Sequence, residues 1–193
     1  MQTTIIQYNA GNIRSVYFAL KRLGVNAEIT DDPDKIKNAD RVIFPGVGAA
    51  PATMQQLRKN GLDNLIPELQ QPVLGICLGM QLMSKFSQEG NTPSLSILKC
   101  KTFRFPEKNR TPHMGWNTIH NLKGELFKGI EEGAYMYFVH SYYLPECSNS
   151  TAITEYAVNF SAAINRNNFY ATQFHPEKSG ENGIQILKNF IQL

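Results

Sequence analysis

Cys77 lies between Gly75 and Gly79, directly after a short apolar run. A strand that turns sharply into a helix at such a residue forms a nucleophile elbow, here with a thiol in place of the serine hydroxyl. The beginning of the helix would direct backbone N–H groups at the sulfur and favour the thiolate, which is the nucleophilic form of cysteine. The pattern therefore predicts that Cys77 attacks a carbonyl carbon and that the N–H of Leu78 points toward the oxyanion that forms.

A histidine and a carboxylate that could complete such a site come much later in the chain. His175 and Glu177 stand in the sequence Gln-Phe-His-Pro-Glu. The imidazole could take the proton of the thiol, and the carboxylate could orient the imidazole. Cys77 alone could equally be a buried core residue, but the three residues together favour a catalytic triad. His140 is a competing base with no carboxylate beside it, so we predict that its role is structural.

The first half of the chain alternates short apolar runs with segments of helical periodicity. Such alternation predicts a doubly wound, mostly parallel α/β sheet with helices on both faces. The predicted strands are residues 3–7, 25–29, 41–44 and 73–76, and the predicted helices are residues 14–23, a short helix from residue 32, residues 51–60 and residues 78–86.

The second half has apolar segments separated by polar turns, which predicts a more antiparallel arrangement. A closing amphipathic helix is predicted over residues 180–192, with Ile184, Leu187 and Ile191 on one face. The length of 193 residues and the lack of a linker indicate a single domain over residues 1–193. The predicted strands of this half are residues 102–105, 116–120, 136–139, 152–156, 161–165 and 169–173.

Ligands of open α/β sheets bind at the carboxyl ends of the strands. The loop 46–48, Cys77 and the His175 segment all follow predicted strands, so this fold would bring them together. The loop could provide a second oxyanion N–H, although taken alone it is more simply a turn. Gln81 lies one helical turn after Cys77 on the same side, and Glu89 follows in a loop. Each of these two, taken alone, is more simply a solvent-facing side chain.

Composition excludes several classes of function. The net charge is +3 with no basic run, which argues against nucleic acid as a partner. The three cysteines show no disulfide or zinc spacing, and the four histidines form no metal-binding pattern, so we expect free thiols and no metal. There is no dinucleotide-binding G-x-G-x-x-G motif, no signal peptide and no membrane span. We therefore expect a cytoplasmic protein that uses no cofactor.

Several motifs together resemble class I glutamine amidotransferases, and more narrowly the glutaminase subunits of imidazole glycerol phosphate synthase. The elbow around Cys77 and the His-Pro-Glu segment carry the wider resemblance. The sequence His-Met-Gly-Trp-Asn around Trp116 and the segment Glu-Lys-Ser-Gly from Glu177 narrow it. The resemblance runs from about residue 5 to the end of the chain. Two departures are the loop from Tyr8 and the residues 49–51 after the glycine loop.

The resemblance implies a reaction, a partner and a role for further residues. Cys77 would form a thioester with glutamine, His175 would protonate the departing ammonia, and Glu177 would orient His175. Ammonia would pass to a (β/α)8-barrel cyclase in a heterodimer that makes imidazole glycerol phosphate and aminoimidazole carboxamide ribotide for histidine biosynthesis. The implied oxyanion donors are Leu78, Gly46 and Val47, the implied glutamine-binding residues are Gly48, Gln81, Glu89, Ser141 and Tyr142, and the implied docking residues are Asn12, Trp116, Tyr137 and Lys178.

Three other functions remain open from the sequence. The chain could be the glutaminase of another synthase, such as that for pyridoxal phosphate, although the Trp116 motif and the Lys-Ser-Gly tail argue against it. It could be a regulatory module of the same fold, although Cys77, His175 and Glu177 are all present. It could also be an elbow peptidase, against which the implied glutamine-binding residues argue.

Overall fold

The computed structural model describes residues 1–8, 13–46 and 48–193 of the chain. Its first half alternates strands and helices, as the periodicity predicted. These elements are β1 (Thr3–Ile6), α1 (Ile13–Arg22), β2 (Glu28–Thr30), α2 (Pro33–Asn38), β3 (Arg41–Phe44), α3 (Ala50–Lys59), α4 (Leu62–Glu68), β4 (Val73–Ile76) and α5 (Leu78–Leu82).

The second half consists mainly of strands and ends in one helix. A short 3-10 helix over Pro176–Lys178 precedes that helix. The elements are β5 (Phe86–Ser87), β6 (Thr92–Pro93), β7 (Phe103–Arg104), β8 (His113–Thr118), β9 (Tyr135–His140), β10 (Tyr142–Tyr143), β11 (Ser150–Tyr156), β12 (Val158–Arg166), β13 (Phe169–Thr172) and α6 (Gly180–Phe190).

Seven strands form the central sheet in the order β11-β12-β13-β4-β3-β1-β2. The pairs from β2 through β1, β3 and β4 to β13 are parallel, whereas β13-β12 and β12-β11 are antiparallel. The predicted fold class, a mostly parallel sheet with antiparallel strands from the C-terminal half, is confirmed. Because β3, β4 and β13 are neighbours, their carboxyl ends meet at one edge of the sheet.

Helices cover both faces of this sheet. Neighbouring residues of one strand point to opposite faces, so Ile5 packs in one core cluster and Ile6 in the other. The first cluster contains apolar residues of α1 and α6, and the second contains those of α2, α3, α4 and α5. Burial on both faces explains why the parallel strands read as continuous apolar runs.

Several predicted element boundaries differ from those of the structure, and one helix was not predicted. The strand expected at residues 25–29 lies at Glu28–Thr30, and the helix α4 was not predicted. The helix expected at residues 78–86 ends at Leu82. Backbone amides of a later loop, Leu95 and Leu98, donate to the carbonyls of Leu82 and Met83. The carbonyl groups at the end of the helix thus accept hydrogen bonds from a distant loop, which no local sequence pattern could indicate.

The strands β8 and β9 form a separate antiparallel hairpin with one buried and one exposed face. The predicted strand 116–120 begins earlier, at His113. Alternation and register give the hairpin an outer face, which consists of Met114, Trp116, Thr118, Tyr135, Tyr137 and Val139. Met114, Trp116 and Tyr135 are between 55% and 63% exposed, which is unusual for large apolar side chains in one patch. The inner face includes His113, Asn117 and His140.

Candidate active site

Cys77 occupies a strained turn between β4 and α5. Its φ of 52° and ψ of −105° lie outside the regions that a cysteine ordinarily adopts. Two main-chain bonds hold this conformation: the Cys77 amide donates to the Thr172 carbonyl at 2.7 Å, and its carbonyl accepts from the Gln81 amide at 3.1 Å. The predicted elbow is therefore present, and the sulfur lies at the beginning of the helix.

Glycines let the loop after β3 pack directly on this turn. A Cβ at Gly46 would lie 2.2 Å from the nitrogen of Gly79 and 2.5 Å from that of Leu78. A Cβ at Gly79 would lie 2.2 Å from the Phe44 carbonyl oxygen. Any side chain at either position would collide with backbone, so both glycines are required by close approach. Tyr8 also contacts this loop, since its buried hydroxyl donates to the Pro45 carbonyl and burial raises its pKa.

His175 and Glu177 form a hydrogen-bonded pair after β13. The distance from His175 Nδ1 to Glu177 Oε1 is 2.8 Å, and both side chains are almost completely buried. The main chain of this segment is fixed to β9, because the His175 amide donates to the Tyr137 carbonyl at 2.9 Å. The hydroxyl of Ser179 strengthens the link, since it accepts from the Tyr137 amide and donates to the His175 carbonyl.

The electrostatics of His175 favour an imidazolium ion. Burial opposes protonation, but the charge of Cys77 and the hydrogen bond and charge of Glu177 outweigh it and raise the pKa of His175 to about 10. The Cys77 sulfur and the Glu177 carboxylate both favour the protonated ring. The three residues that the sequence predicted as a triad thus lie in one electrostatically coupled cluster.

A cavity of about 340 Å³ opens above the sulfur. Its volume lies at the small end of the range for small-molecule sites. The predicted residues Gly46, Gly48, Cys77, Leu78, Gln81, Glu89, Ser141, Tyr142 and His175 all line it, together with Lys178, Pro112, Val139 and His140.

Gln81 reaches the cavity, but its amide hydrogens are already used. Its Nε2 donates to the Tyr142 carbonyl at 2.8 Å and to Gln173 Oε1 at 3.0 Å. A ligand can therefore use only the amide oxygen, which accepts hydrogen bonds. Contact with an amide N–H or an ammonium group of a substrate fits these bonds, whereas contact with a carboxylate does not.

Two groups that were not among the predicted site residues approach the sulfur. The Nε2 of Gln173 lies 3.5 Å from Cys77 Sγ, and the Val139 carbonyl oxygen lies 3.8 Å from it. Gln173 had a detectable signal, because it precedes His175 by two residues in an extended segment and so shares its face. Val139 contributes only backbone, which its residue type could not reveal.

Glu89 has a structural partner in addition to its place in the cavity. Its Oε2 accepts from the Ala50 amide at 2.8 Å, at the beginning of α3. A carboxylate at that position interacts favourably with the helix dipole. Glu89 thus links the loop after α5 to the segment that follows Gly48, which has a φ of 111° and needs a glycine there.

The predicted docking residues lie on and beside the outer face of the hairpin. The Trp116 and Tyr137 rings pack edge to face with centroids 6.0 Å apart, and Lys178 Nζ lies 5.9 Å from the Tyr137 ring centroid. Val139 of the same face lines the cavity, so the exposed patch continues into the candidate active site. Asn12 and Val47, predicted for docking and for the oxyanion site, lie outside the described residues.

The described residues contain neither a metal-binding cluster nor a membrane-spanning helix. No cluster of three or more histidine, cysteine or acidic side chains there could hold a metal ion. Within the same ranges, no helix is long and apolar enough to cross a membrane.

Sequence comparison identifies the family. The family described as "Glutamine amidotransferase class-I" matches this chain over residues 4–193. The chain belongs to this family, and the resemblance that the motifs indicated is confirmed.

Curated relatives narrow the similarity to one kind of subunit. The chain is 58% identical over 196 residues to imidazole glycerol phosphate synthase subunit HisH of Bacteroides fragilis, with both chains covered in full. It is 52% identical over 191 residues to the subunit of the same name from Haemophilus influenzae, which covers 98% of this chain and 96% of that protein.

Solved structures support the fold. A structure of PurLQS from Thermotoga maritima superposes with a TM-score of 0.77 at 17% identity, covering 99% of this chain and 97% of that one. A structure described as a glutamine amidotransferase gives the same TM-score at 17% identity, covering 98% of this chain and 97% of that one.

Proposed function

We propose that this chain hydrolyses glutamine to glutamate and ammonia as the glutaminase subunit of imidazole glycerol phosphate synthase. The observation that carries the proposal is the position of His175, which is hydrogen-bonded to Glu177 and electrostatically coupled to Cys77 at a strained elbow. Family membership and the HisH relatives agree with this chemistry.

The geometry supports a two-step reaction. The sulfur of Cys77 attacks the side-chain amide carbon of glutamine, and the carbonyl π electrons move to oxygen. When the tetrahedral intermediate collapses, the C–N bond breaks and His175 gives its proton to the departing ammonia. His175 then takes a proton from water, which attacks the thioester carbon. The C–S bond breaks, glutamate leaves, and Glu177 orients the imidazole in both steps.

The oxyanion would be bound by backbone N–H groups. Leu78 follows the nucleophile, and its amide is the expected first donor. Gly46 packs so closely on this turn that a Cβ there would lie 2.5 Å from the Leu78 nitrogen, so a side chain at Gly46 would disturb the proposed oxyanion site. The second donor would come from Val47, as the resemblance implies.

The remaining cavity residues would bind glutamine away from its reacting amide. Glu89 supplies a negative charge for the ammonium group. The Gln81 amide oxygen supplies a second acceptor, since its hydrogens are engaged by Tyr142 and Gln173. Ser141, Tyr142 and Gly48 line the rest of the wall.

The partner would be a (β/α)8-barrel cyclase that receives the ammonia. An exposed apolar patch on a hairpin that leads into the active site suits a partner that must collect a product without losing it to water. Trp116, Tyr137 and Lys178 would form the centre of this contact, and the resemblance implies a part for Asn12 as well. A cytoplasmic location fits a biosynthetic subunit with free thiols.

The test is glutamate release from glutamine by the purified chain, measured alone, with the barrel cyclase, and with the cyclase plus its ribotide ligand. We expect strong stimulation only in the last case, and none with Cys77→Ala, which should still bind the cyclase. Equal activity in all three would retain the glutaminase and reject this partner. No activity in any of them, with Cys77 shown to be reduced, would favour a regulatory module. Stimulation by a pyridoxal phosphate synthase instead would favour that alternative.

A further inference from the structure

A buried amide that the proposed reaction does not use lies beside the nucleophile. Gln173 is completely inaccessible to solvent, and its Nε2 is 3.5 Å from Cys77 Sγ. Buried amides are usually fixed by several hydrogen bonds, so the partners of Gln173 determine which end of its side chain faces the sulfur.

The bonds of Gln81 settle this orientation. A backbone carbonyl cannot donate, so the group of Gln81 that contacts the Tyr142 oxygen must be its NH2 group. The same NH2 group contacts Gln173, which must therefore present its oxygen there. The NH2 group of Gln173 is left to face the sulfur, and it donates to it.

The chain of hydrogen bonds continues beyond Tyr142 to the hairpin. His140 Nδ1 is 2.7 Å from the Tyr142 carbonyl oxygen, so it carries a proton. His140 Nε2 then accepts from His113 Nδ1 at 3.1 Å, because burial keeps both rings neutral. His113 Nε2 in turn accepts from the Asn117 amide at 3.3 Å, and that amide also donates to the Glu155 carbonyl.

Each hydrogen bond of this series therefore has a defined donor and a defined acceptor. It begins on the inner face of the β8–β9 hairpin, whose outer face carries Trp116 and Tyr137. It ends at the sulfur. Such a fully satisfied buried network holds its side chains in one arrangement.

We propose that Gln173 is a positioning residue for the nucleophile, which holds the Cys77 sulfur through an N–H donor and is itself anchored to the β8–β9 hairpin through Gln81, Tyr142, His140 and His113. This role belongs to the proposed glutamine hydrolysis, so changes in kcat and KM can be interpreted only if that reaction takes place. The Gln173 amide and the His175 imidazolium both stabilise the thiolate, but only the imidazolium transfers a proton.

The test uses two variants of similar size in a background of Cys100→Ser and Cys147→Ser. That background is needed because Cys100 donates to Cys147 and lowers the pKa of Cys147, which would compete for an alkylating reagent. Gln173→Met keeps the volume and removes the donor. Gln173→Glu keeps the shape and places a carboxylate beside the sulfur. Asn189→Leu is the matched control, since it removes a buried amide that bonds to the carbonyls of Leu126 and Lys128.

The first readout is the pH profile of Cys77 alkylation by iodoacetamide. The native titratable groups around the sulfur, which are His175 with Glu177, Tyr8 and His140, are kept in all variants, and only Gln173→Glu adds a further one. Gln173→Met removes the N–H donor to the Cys77 sulfur. The pH at which alkylation begins should therefore rise by roughly one unit. The shift should be larger in Gln173→Glu and absent in Asn189→Leu.

The second readout is glutaminase kinetics with the activating partner. We expect kcat to fall roughly tenfold in Gln173→Met with KM within about twofold, because the sulfur and not the substrate is affected. An unchanged alkylation profile, or a raised KM with unchanged kcat, would overturn the proposal. The alkylation profile needs no glutamine hydrolysis, so it still tests Gln173 if the parent chain proves inactive as a glutaminase.

Discussion

The backbone amide of His175 donates to the backbone carbonyl of Tyr137 at 2.9 Å. Tyr137 presents its ring on the outer face of the hairpin, while its main chain fixes the segment that carries the proposed base. Ser179 completes this link from the other side with one hydroxyl. A partner that moves the hairpin would therefore move His175 directly.

Removing the Ser179 hydroxyl tests the link. In Ser179→Ala, the Tyr137 amide loses its acceptor, and we expect a loss of about 1–3 kcal/mol in the free energy of unfolding. The looser His175 should also lower kcat roughly tenfold or more. Urea unfolding and glutaminase kinetics measure the two effects. Ser161→Ala, which also removes a buried hydroxyl, should cost stability without a matching loss of kcat.

The glycine loop gives a second prediction. In Gly46→Ala the new Cβ would meet the nitrogens of Gly79 and Leu78, which blocks the proposed oxyanion site. We expect kcat to fall at least about a hundredfold, the usual loss for one oxyanion donor. Gly61→Asn is the control, because Gly61 has a left-handed backbone conformation and a Cβ there would have no atom beyond its chain neighbours within 4 Å. If the alanine variant folds and retains its kcat, the oxyanion site is not at Leu78.

The sequence predicted the residues whose roles are local. The elbow at Cys77 depends on a strand, a turn and nearby glycines, all of which are visible as a pattern. The His175 segment follows the same logic, since it comes directly after a predicted strand and so lies at the carboxyl edge of the sheet. The parallel sheet followed from the alternation of apolar runs and helical periodicity.

What the sequence could not predict depends on contacts between distant segments. The early end of α5 is caused by the backbone amides of Leu95 and Leu98. The side-chain amide of Gln81 is likewise held by groups far away in the sequence, Tyr142 and Gln173. The Val139 carbonyl approaches the sulfur through backbone atoms alone. Such contacts arise only when the second half of the chain folds over the carboxyl edge of the sheet.

The buried histidine pair predicts the pH dependence of stability. Burial lowers the pKa of His113 from 6.5 to about 4 and, together with the neighbouring histidines, that of His140 to about 3. Between pH 6.5 and pH 4 the unfolded chain holds more protons on these rings than the folded chain does. The contribution of this pair to stability is therefore fully present above pH 6.5 and is lost as the pH decreases, by on the order of 3 kcal/mol for His113 at pH 4.

Thermal unfolding between pH 7.5 and pH 4.5 measures this effect. The double variant His113→Phe and His140→Phe removes both titrating rings, so its melting temperature should fall less steeply with decreasing pH. The surface variant His120→Phe, whose side chain is 55% exposed in the parent, should leave the slope unchanged. Equal slopes in all three proteins would show that the pair does not stay neutral in the folded state.

The outer face of the hairpin gives the last prediction. Trp116 is 55% exposed and packs on Tyr137, which makes it the largest apolar side chain available to a partner at the mouth of the active site. Aromatic residues of this kind dominate protein interfaces, so Trp116→Ala should weaken binding of the cyclase about thirtyfold, measured by calorimetry. Lys59→Ala, at the end of α3, is the control and should not change the affinity. At saturating cyclase, kcat of Trp116→Ala should recover, because the residue acts in docking and does not contact glutamine. A lower kcat that persists at saturation would instead place Trp116 in the coupling between the hairpin and His175.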